Sequence, residues 1–305
     1  MTIRQRIASP VGMLVAMPLL VLLTAGGVLV VTDALARKSA RQQADLVFAV
    51  ASSVAGQRIR EVLVHAGPVL DGLQVWHGRT DDESTAASAM RALMKGRPGI
   101  VRAHIAWPDG RMTGIEQRQD GWFLVAIAPA DAGTWVSRRR LGPDGALAPV
   151  ERMQLSAFDP LTRPWWTAAI ASQGRAWSSP FLFVDSRRPG LSCSEALRDA
   201  EGRVLAVIAV SFDLSAIGAA FPTGDVRIRH AIFDARRNLI TLPRGWASGL
   251  DDHRLLHADD LRVPEAQGFF AALSTLPVPG STPQPVSWQV DGQGFGALVQ
   301  AISAP

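Results

Sequence analysis

The sequence predicts an α+β fold: two blocks of helix and antiparallel hairpin on a long N-terminal helix. Three observations carry this. Apolar residues recur at spacings of three and four as far as Lys95 and alternate after it. Paired apolar runs flank Pro, Gly, Asp and Asn turn clusters at four places. No repeat period points to a solenoid.

The first element is the run from Val11 to Thr32, 22 positions without a charged residue. At about 1.5 Å per residue it is long enough to cross a hydrocarbon core of roughly 30 Å. Pro18 and Gly26-Gly27 weaken it as a soluble helix but are tolerated in a membrane. It exceeds the apolar region of a signal peptide, and Ala34-Leu35-Ala36 is a poor, late cleavage site, so an uncleaved anchor is expected. Arg4 and Arg6 before the run nearly balance Arg37, Lys38 and Arg41 after it. A short N-terminal tail ordinarily stays in the cytoplasm, which places residues 33 onward outside.

Residues 33–76 read as a stalk helix leaving the membrane. Ile59, Val62, Leu63, Ala66, Val69, Leu70 and Leu73 form one buried stripe, and Gly67-Pro68 predicts a kink. A second helix is expected from Asp82 to Lys95, with Asp81, Asp82 and Glu83 at its positive end and Gly96, Pro98 and Gly99 beyond it. Hairpins follow: Val101–Ile105 with Met112–Ile115, then a strand over Trp122–Ala128; Ser194–Leu197 with Val204–Phe212; His230–Phe233 with Leu239–Leu242; and Ser287–Val290 with Phe295–Ile302. Val204–Phe212 is too apolar to be solvated on either face. A short helix is expected over Pro264–Leu276, and the two blocks join near Phe221-Pro222-Thr223-Gly224.

Composition narrows the function. The chain has 305 residues, 48% hydrophobic and 19% charged, with 31 cationic and 27 acidic side chains and a net charge of +4, which excludes a disordered chain. Only Lys38 and Lys95 are lysine. Arg138-Arg139-Arg140 is the densest basic cluster, and without a basic stripe or recognition module it reads as solvated surface, so no nucleic-acid partner is expected. A lone cysteine, Cys193, excludes a disulfide framework and a multi-cysteine zinc site. It reads as a buried thiol at a strand start. His253 and His257 among Asp251, Asp252, Asp259 and Asp260 would face one metal if helical, but the context reads as a loop. Ser192-Cys193-Ser194 has no histidine nearby in sequence, and His65, His77, His104 and His230 are scattered. No phosphate loop, Rossmann glycine pattern or HExxH occurs. Neither catalysis, nor a metal, nor a cofactor is expected of this chain.

Arg163 beside Trp165 and Trp166 suits a carboxylate anchor: a guanidinium offers two parallel donors, and an indole face fixes its plane. The competing reading pairs Arg163 with Asp159 or a carbonyl, pinning the loop, with both tryptophans in the core.

The stretch Phe158-Asp159-Pro160-Leu161-Thr162-Arg163-Pro164-Trp165-Trp166 resembles the central signature of double Cache sensor domains: an aromatic, Asp-Pro, two variable residues, Arg-Pro-Trp and another aromatic. Gly174, Trp177, Pro180-Phe181, Pro189-Gly190, Asp199 through Gly202 and the run Val204–Ile217 extend the resemblance over about sixty residues. It implies two tandem PAS-like lobes on a stalk helix outside the inner membrane: a cytoplasmic tail at 1–10, the span at 11–32, the stalk at 33–76, a membrane-distal ligand-binding lobe at 77–222 and a membrane-proximal lobe at 223–305. It also implies a homodimer paired through the stalk, and the input role in a chemoreceptor, histidine kinase or second-messenger enzyme. The chain stops at Ser303-Ala304-Pro305, soon after the last hairpin, so the second lobe is expected to be incomplete and a second span and output domain to follow.

The ligand residues implied by the resemblance are Phe158, Arg163, Trp165, Trp166, Phe181, Phe183 and Ser211. Amino-acid-binding members carry tyrosines where this chain has Phe158, Trp166 and Phe181, and aspartates where it has Phe183 and Ser211. Those acids hold the ligand's ammonium group, and an unpaired buried ammonium costs several kcal/mol. The expected ligand is therefore a small carboxylate or a less polar molecule rather than an ordinary amino acid, unless binding has been lost. A shift of two residues would bring Asp213 to the pocket instead of Ser211, but Asp213-Leu214-Ser215 reads as a helix N-cap. Asp185 reads as a turn residue before Ser186-Arg187-Arg188-Pro189-Gly190. The alternatives to a sensor are a membrane-tethered hydrolase and a ligand-free dimerisation scaffold.

Overall fold

Ile59, Val62, Leu63, Ala66, Val69, Leu70 and Leu73, the predicted stripe, are all buried, and the core grows from them. The computed structural model describes residues 10–76, 82–130, 133–155, 158–214, 230–243, 246 and 255–302. It divides into two units, Met1–Ser53 and Val54–Pro305.

The first unit contains most of helix α1 (Pro10–Leu63), whose side chains are described from Thr24 onward except at positions 40, 41, 44 and 45. Val28, Leu29, Val30 and Val31 are exposed, and Arg37 pairs with Asp33 one turn earlier at 2.8 Å. The uncharged run expected to cross a membrane falls within α1. Among the described residues, however, no helix is long and apolar enough to do so.

In the second unit the expected kink is a break. α1 ends at Leu63, and α2 (Ala66–Trp76) begins before Pro68. Proline at 68 has no N–H for the Val64 carbonyl and its ring crowds that carbonyl, so the helix cannot run through. Asp82 caps α3 (Glu83–Met94) by accepting from the Ser84 and Thr85 amides, so the middle acid of the Asp81-Asp82-Glu83 run works as a cap.

Nine strands form one antiparallel sheet: β1 (Ile100–Ala106), β2 (Met112–Arg118), β3 (Gly121–Ala130), β4 (Gly133–Leu141), β5 (Glu151–Leu155), β6 (Ala176–Trp177), β7 (Phe181–Leu182), β8 (Pro189–Arg198) and β9 (Val204–Asp213). Their order is β5-β4-β3-β2-β1-β9-β8-β6, with β7 pairing β8 off that path. β4, β5, the two short strands β6 and β7, and helix α4 (Pro164–Ala171) had no counterpart in the sequence reading; β4 carries the three consecutive arginines.

The sheet is covered on both faces. On one, Ile105, Ile115, Ile208, Val210 and Phe212 pack with the end of α1, α2 and α3. On the other, Met112, Phe123, Val125, Val207 and Ala209 pack with Trp165, Trp166, Phe181 and Phe183. β9 contributes to both, so its residues from Ala206 to Asp213 are all buried, as its unbroken apolar composition predicts.

The remaining described elements are hairpin β10 (Ile232–Phe233) with β11 (Leu239–Thr241), helix α5 (Pro264–Leu273) and hairpin β12 (Gln284–Val290) with β13 (Gln293–Val299). They share a separate apolar cluster around Leu239, Leu261, Phe269, Phe270 and Val286. The predicted junction at 221–224 lies outside the described residues.

Candidate functional site

The Phe158–Trp166 motif folds as a loop, one 3-10 turn (Pro160–Thr162) and α4. Asp159 caps the turn by accepting from the Leu161 amide at 2.9 Å, so it is not the partner of Arg163. Thr134 on β4 donates to the Phe158 carbonyl at 2.6 Å, and Ser194 on β8 donates to the Trp165 carbonyl at 2.7 Å. Both ends of the motif are thereby tied to the sheet.

The motif and the segment after β7 close a cleft over the sheet. Arg102, His104, Met112, Phe158, Arg163, Trp165, Phe181, Phe183, Val184 and Ser211 line it. Six of the seven residues expected from the sequence therefore meet there. Trp166 does not. It packs edge-on against Trp165, with centroids 6.2 Å apart, and is buried in the core. Adjacent helical residues point about 100° apart, so one helix start cannot present both indoles to one cleft.

Arg163 lies between two rings, its guanidinium carbon 5.8 Å from the centroid of Phe158 and 5.2 Å from that of Phe181. It donates to the Leu182 carbonyl at 2.7 Å, so the loop-pinning reading holds for one of its nitrogens. Among the described residues no carboxylate lies within ion-pair distance of it. Burial, reinforced by the positive charge of Arg102, pushes its pKa down. Two arginines thus line one cleft, with no acid among its described lining residues.

Arg102 and His104 alternate along β1 on one face of the sheet, with Ser211 of β9 directly beside Arg102. Ser211 bonds Ser192 through their hydroxyls at 2.7 Å. Arg102 reaches Glu116 and Asp185, both at 3.2 Å; Arg118 and Arg138 reach Asp185 at 3.8 and 3.5 Å, and Arg118 reaches Glu116 at 3.6 Å. Burial raises the Glu116 carboxyl pKa even with Arg102 beside it. Burial also pushes Asp185 upward, but Arg102 and its other partners outweigh this and hold it low. Asp185 is a turn residue, as expected, but also the hub of an ion-pair cluster, and Arg138 is a half-buried partner of it and not solvated surface.

His104 is 2% exposed and stands edge-on to Trp165 at 4.5 Å. Among the described residues neither ring nitrogen has a hydrogen-bond partner, nor does the Nε of Arg102. Burial, with Arg102 adding to it, pushes His104 down to about 3, so the imidazole is neutral at pH 7. Two glycines make room here. A side chain at Gly114, opposite His104 on β2, would meet the Ala103 carbonyl oxygen at 2.3 Å. One at Gly190 would meet the Phe183 ring at 2.6 Å.

Asp213 lies on the same strand face as Ser211 but outside the cleft lining, paired with Arg188 at 2.6 Å, so the shifted alignment does not deliver an acid to the cleft. Cys193 is buried, and burial raises its thiol to about 11. His257 bonds the Arg236 carbonyl at 2.8 Å and caps a 3-10 turn at Ala258–Asp260. His253 lies outside the described residues, and among those described no group of three metal-ligating side chains occurs.

No family model and no curated protein matches the chain. Among solved structures, the extracellular domain of soHK1S-Z6, described as a histidine kinase, is similar with a TM-score of 0.52 at 15% identity, covering 88% of this chain and 92% of that one. The fold is shared with that extracellular domain. This agrees with the fold implied by the double Cache resemblance. Two further likenesses to receptor domains are weaker: methyl-accepting chemotaxis protein X (TM-score 0.49, 17% identity, covering 90% and 94%) and the ligand-binding domain of the Pseudomonas fluorescens chemoreceptor CtaA in complex with L-isoleucine (0.48, 13%, 85% and 85%).

The sequence reading missed the β1 side of this cleft, Arg102 and His104. Their only sequence signal is polar alternation in Val101-Arg102-Ala103-His104-Ile105, which equally describes a strand with one wet face.

Proposed function

We propose that the chain is the extracytoplasmic input module of a transmembrane signalling receptor, with a small molecule held in the cleft between β1, β9 and the Arg163 motif. The observation that carries this is the convergence of Phe158, Arg163, Trp165, Phe181, Phe183 and Ser211 on one cleft, beside a buried histidine with both nitrogens unpartnered. Buried polar groups are ordinarily satisfied. A cleft wall that holds unsatisfied polar groups is what a polar ligand completes.

The lining favours a ligand without an ammonium group. Chemoreceptor domains of weaker likeness were solved with L-isoleucine, L-arginine or GABA, each of which brings one. Among the described residues no acidic side chain lines the cleft, Asp185 is engaged by three arginines and Asp213 by a fourth. A small carboxylate anchored by Arg163, or a less polar molecule, meets no such deficit.

Val11–Thr32 is the proposed anchor, with the exposed apolar residues Val28 to Val31 in support. On this reading residues 33–76 are the stalk, 77–222 the distal lobe and 223–305 the proximal lobe, whose separate apolar cluster supports the division. Ligand capture biases two arrangements of the lobes, and the stalk of a homodimer carries that bias inward.

Calorimetric titration of the full chain in detergent micelles, against a panel of amino acids and small carboxylates, tests the reading. Saturable binding that Arg163→Ala abolishes is expected. Absence of binding by every compound would sink it.

A further inference from the structure

We infer that the cleft is a two-anchor site for a short dicarboxylate, one carboxylate held by Arg163 and the other by Arg102 and His104. This rests on the sensor reading of the same cleft and names the ligand class.

The two anchors come from different walls. Arg163 enters from the motif loop, flanked by Phe158 and Phe181. Arg102 and His104 rise from β1, two residues apart on one face. His104 is buried, and among the described residues both its nitrogens and the Nε of Arg102 lack partners. A buried polar group left unmade costs about 1–3 kcal/mol, so three in one wall define a recognition surface for a ligand. The neutral imidazole supplies one N–H, and Arg102 Nε–H supplies another; both are donors suited to a carboxylate. Trp165 against the imidazole ring fixes its plane.

Charge specifies the valence. Among the described residues, Arg102, Arg118, Arg138 and Arg163 gather here against only Glu116 and Asp185, an excess of two positive charges. A zwitterionic amino acid leaves that excess untouched and a monocarboxylate halves it. A dicarboxylate cancels it. Size limits the guest: the cleft has about 280 Å³ of empty space including its open mouth, so only a short ligand fits.

The test titrates the full chain in detergent micelles, at fixed ionic strength, with malonate, succinate, acetate, propionate and L-alanine. A dicarboxylate is expected to bind at least tenfold more tightly than either monocarboxylate. Arg163→Ala and His104→Leu should each weaken it by about 10- to 100-fold, the range for losing a charge-assisted hydrogen bond. His104→Leu should leave it no better than acetate. Arg102→Lys keeps the charge but removes the Nε donor, and serves if His104→Leu does not fold by circular dichroism. Acetate binding as tightly as succinate, with His104→Leu harmless, overturns the two-anchor site while Arg163 dependence preserves the sensor reading. L-Alanine binding without dicarboxylate binding does the same. No binding at all overturns both.

Discussion

Arg102 on β1 and Asp185 after β7 lie 83 residues apart in sequence and meet at 3.2 Å beside the cleft. Arg118 and Arg138 approach the same carboxylate from β2 and β4, so one acid ties three strands to the loop that forms the cleft's wall.

Asp185→Asn leaves those three cations without their shared counter-charge. Its side chain is 19% exposed, so solvent replaces little of the loss. Breaking one side of such a pair costs about 3 kcal/mol. Chemical denaturation should report a loss of that size, partly recovered by added sulfate; an unchanged midpoint would show the cluster to be energetically idle.

Gly114→Ala tests how tightly β1 and β2 approach under His104. The new methyl carbon would lie 2.3 Å from the Ala103 carbonyl oxygen and 2.4 Å from His104 Cβ, and neither can swing aside. Overpacking of this kind costs about 1–3 kcal/mol. The melting temperature should fall, and if ligand binding is measured it should weaken with it, because His104 is displaced.

His104 makes stability depend on pH in a definite direction. Its folded-state value is about 3, against 6.5 for the ordinary side chain. Between those values the unfolded chain takes up a proton that the folded chain refuses, so stability falls as pH falls from about 6.5 toward 3. The slope from this group approaches about 1.4 kcal/mol per pH unit. Urea midpoints of wild type and His104→Leu at pH 5.0 and 6.5 isolate it from the carboxylates. The wild type should lose more stability on acidification, and parallel behaviour would refute the buried neutral imidazole.

Much of this was legible in the sequence because it was local. The stripe from Ile59 to Leu73 is a helix repeat, and every member is buried. β9 announced its two covered faces by composition alone. Six cleft residues were found through the Phe158–Trp166 motif and the resemblance that extends beyond it. Arg102 and His104 were not, because what buries them is a loop and helix more than fifty residues downstream; from the strand itself, that face looks wet. β4 was overlooked for a related reason. Arg138-Arg139-Arg140 reads as solvated charge until Asp185, distant in sequence, is known to sit over Arg138. Trp166, implied by the resemblance, lies outside the cleft lining, since neighbours in a sequence need not share a surface.

Cys193 should be chemically silent in the folded chain. It is buried, and its thiol is raised to about 11, so little thiolate exists at pH 8. A thiol-reactive dye at pH 8 should label it only after denaturant is added. Rapid labelling of the native chain would mean that β8 opens.

β9 is clad on both sides. Ser211 belongs to the floor of the cleft, while its neighbours Val210 and Phe212 press on the layer containing α2. Interiors packed to this density yield little to compression. A guest that nudges Ser211 therefore cannot be absorbed locally; the back of the same strand must shift against the helices. Cleft and helix layer share a party wall, and a message between them has only the thickness of one strand to cross.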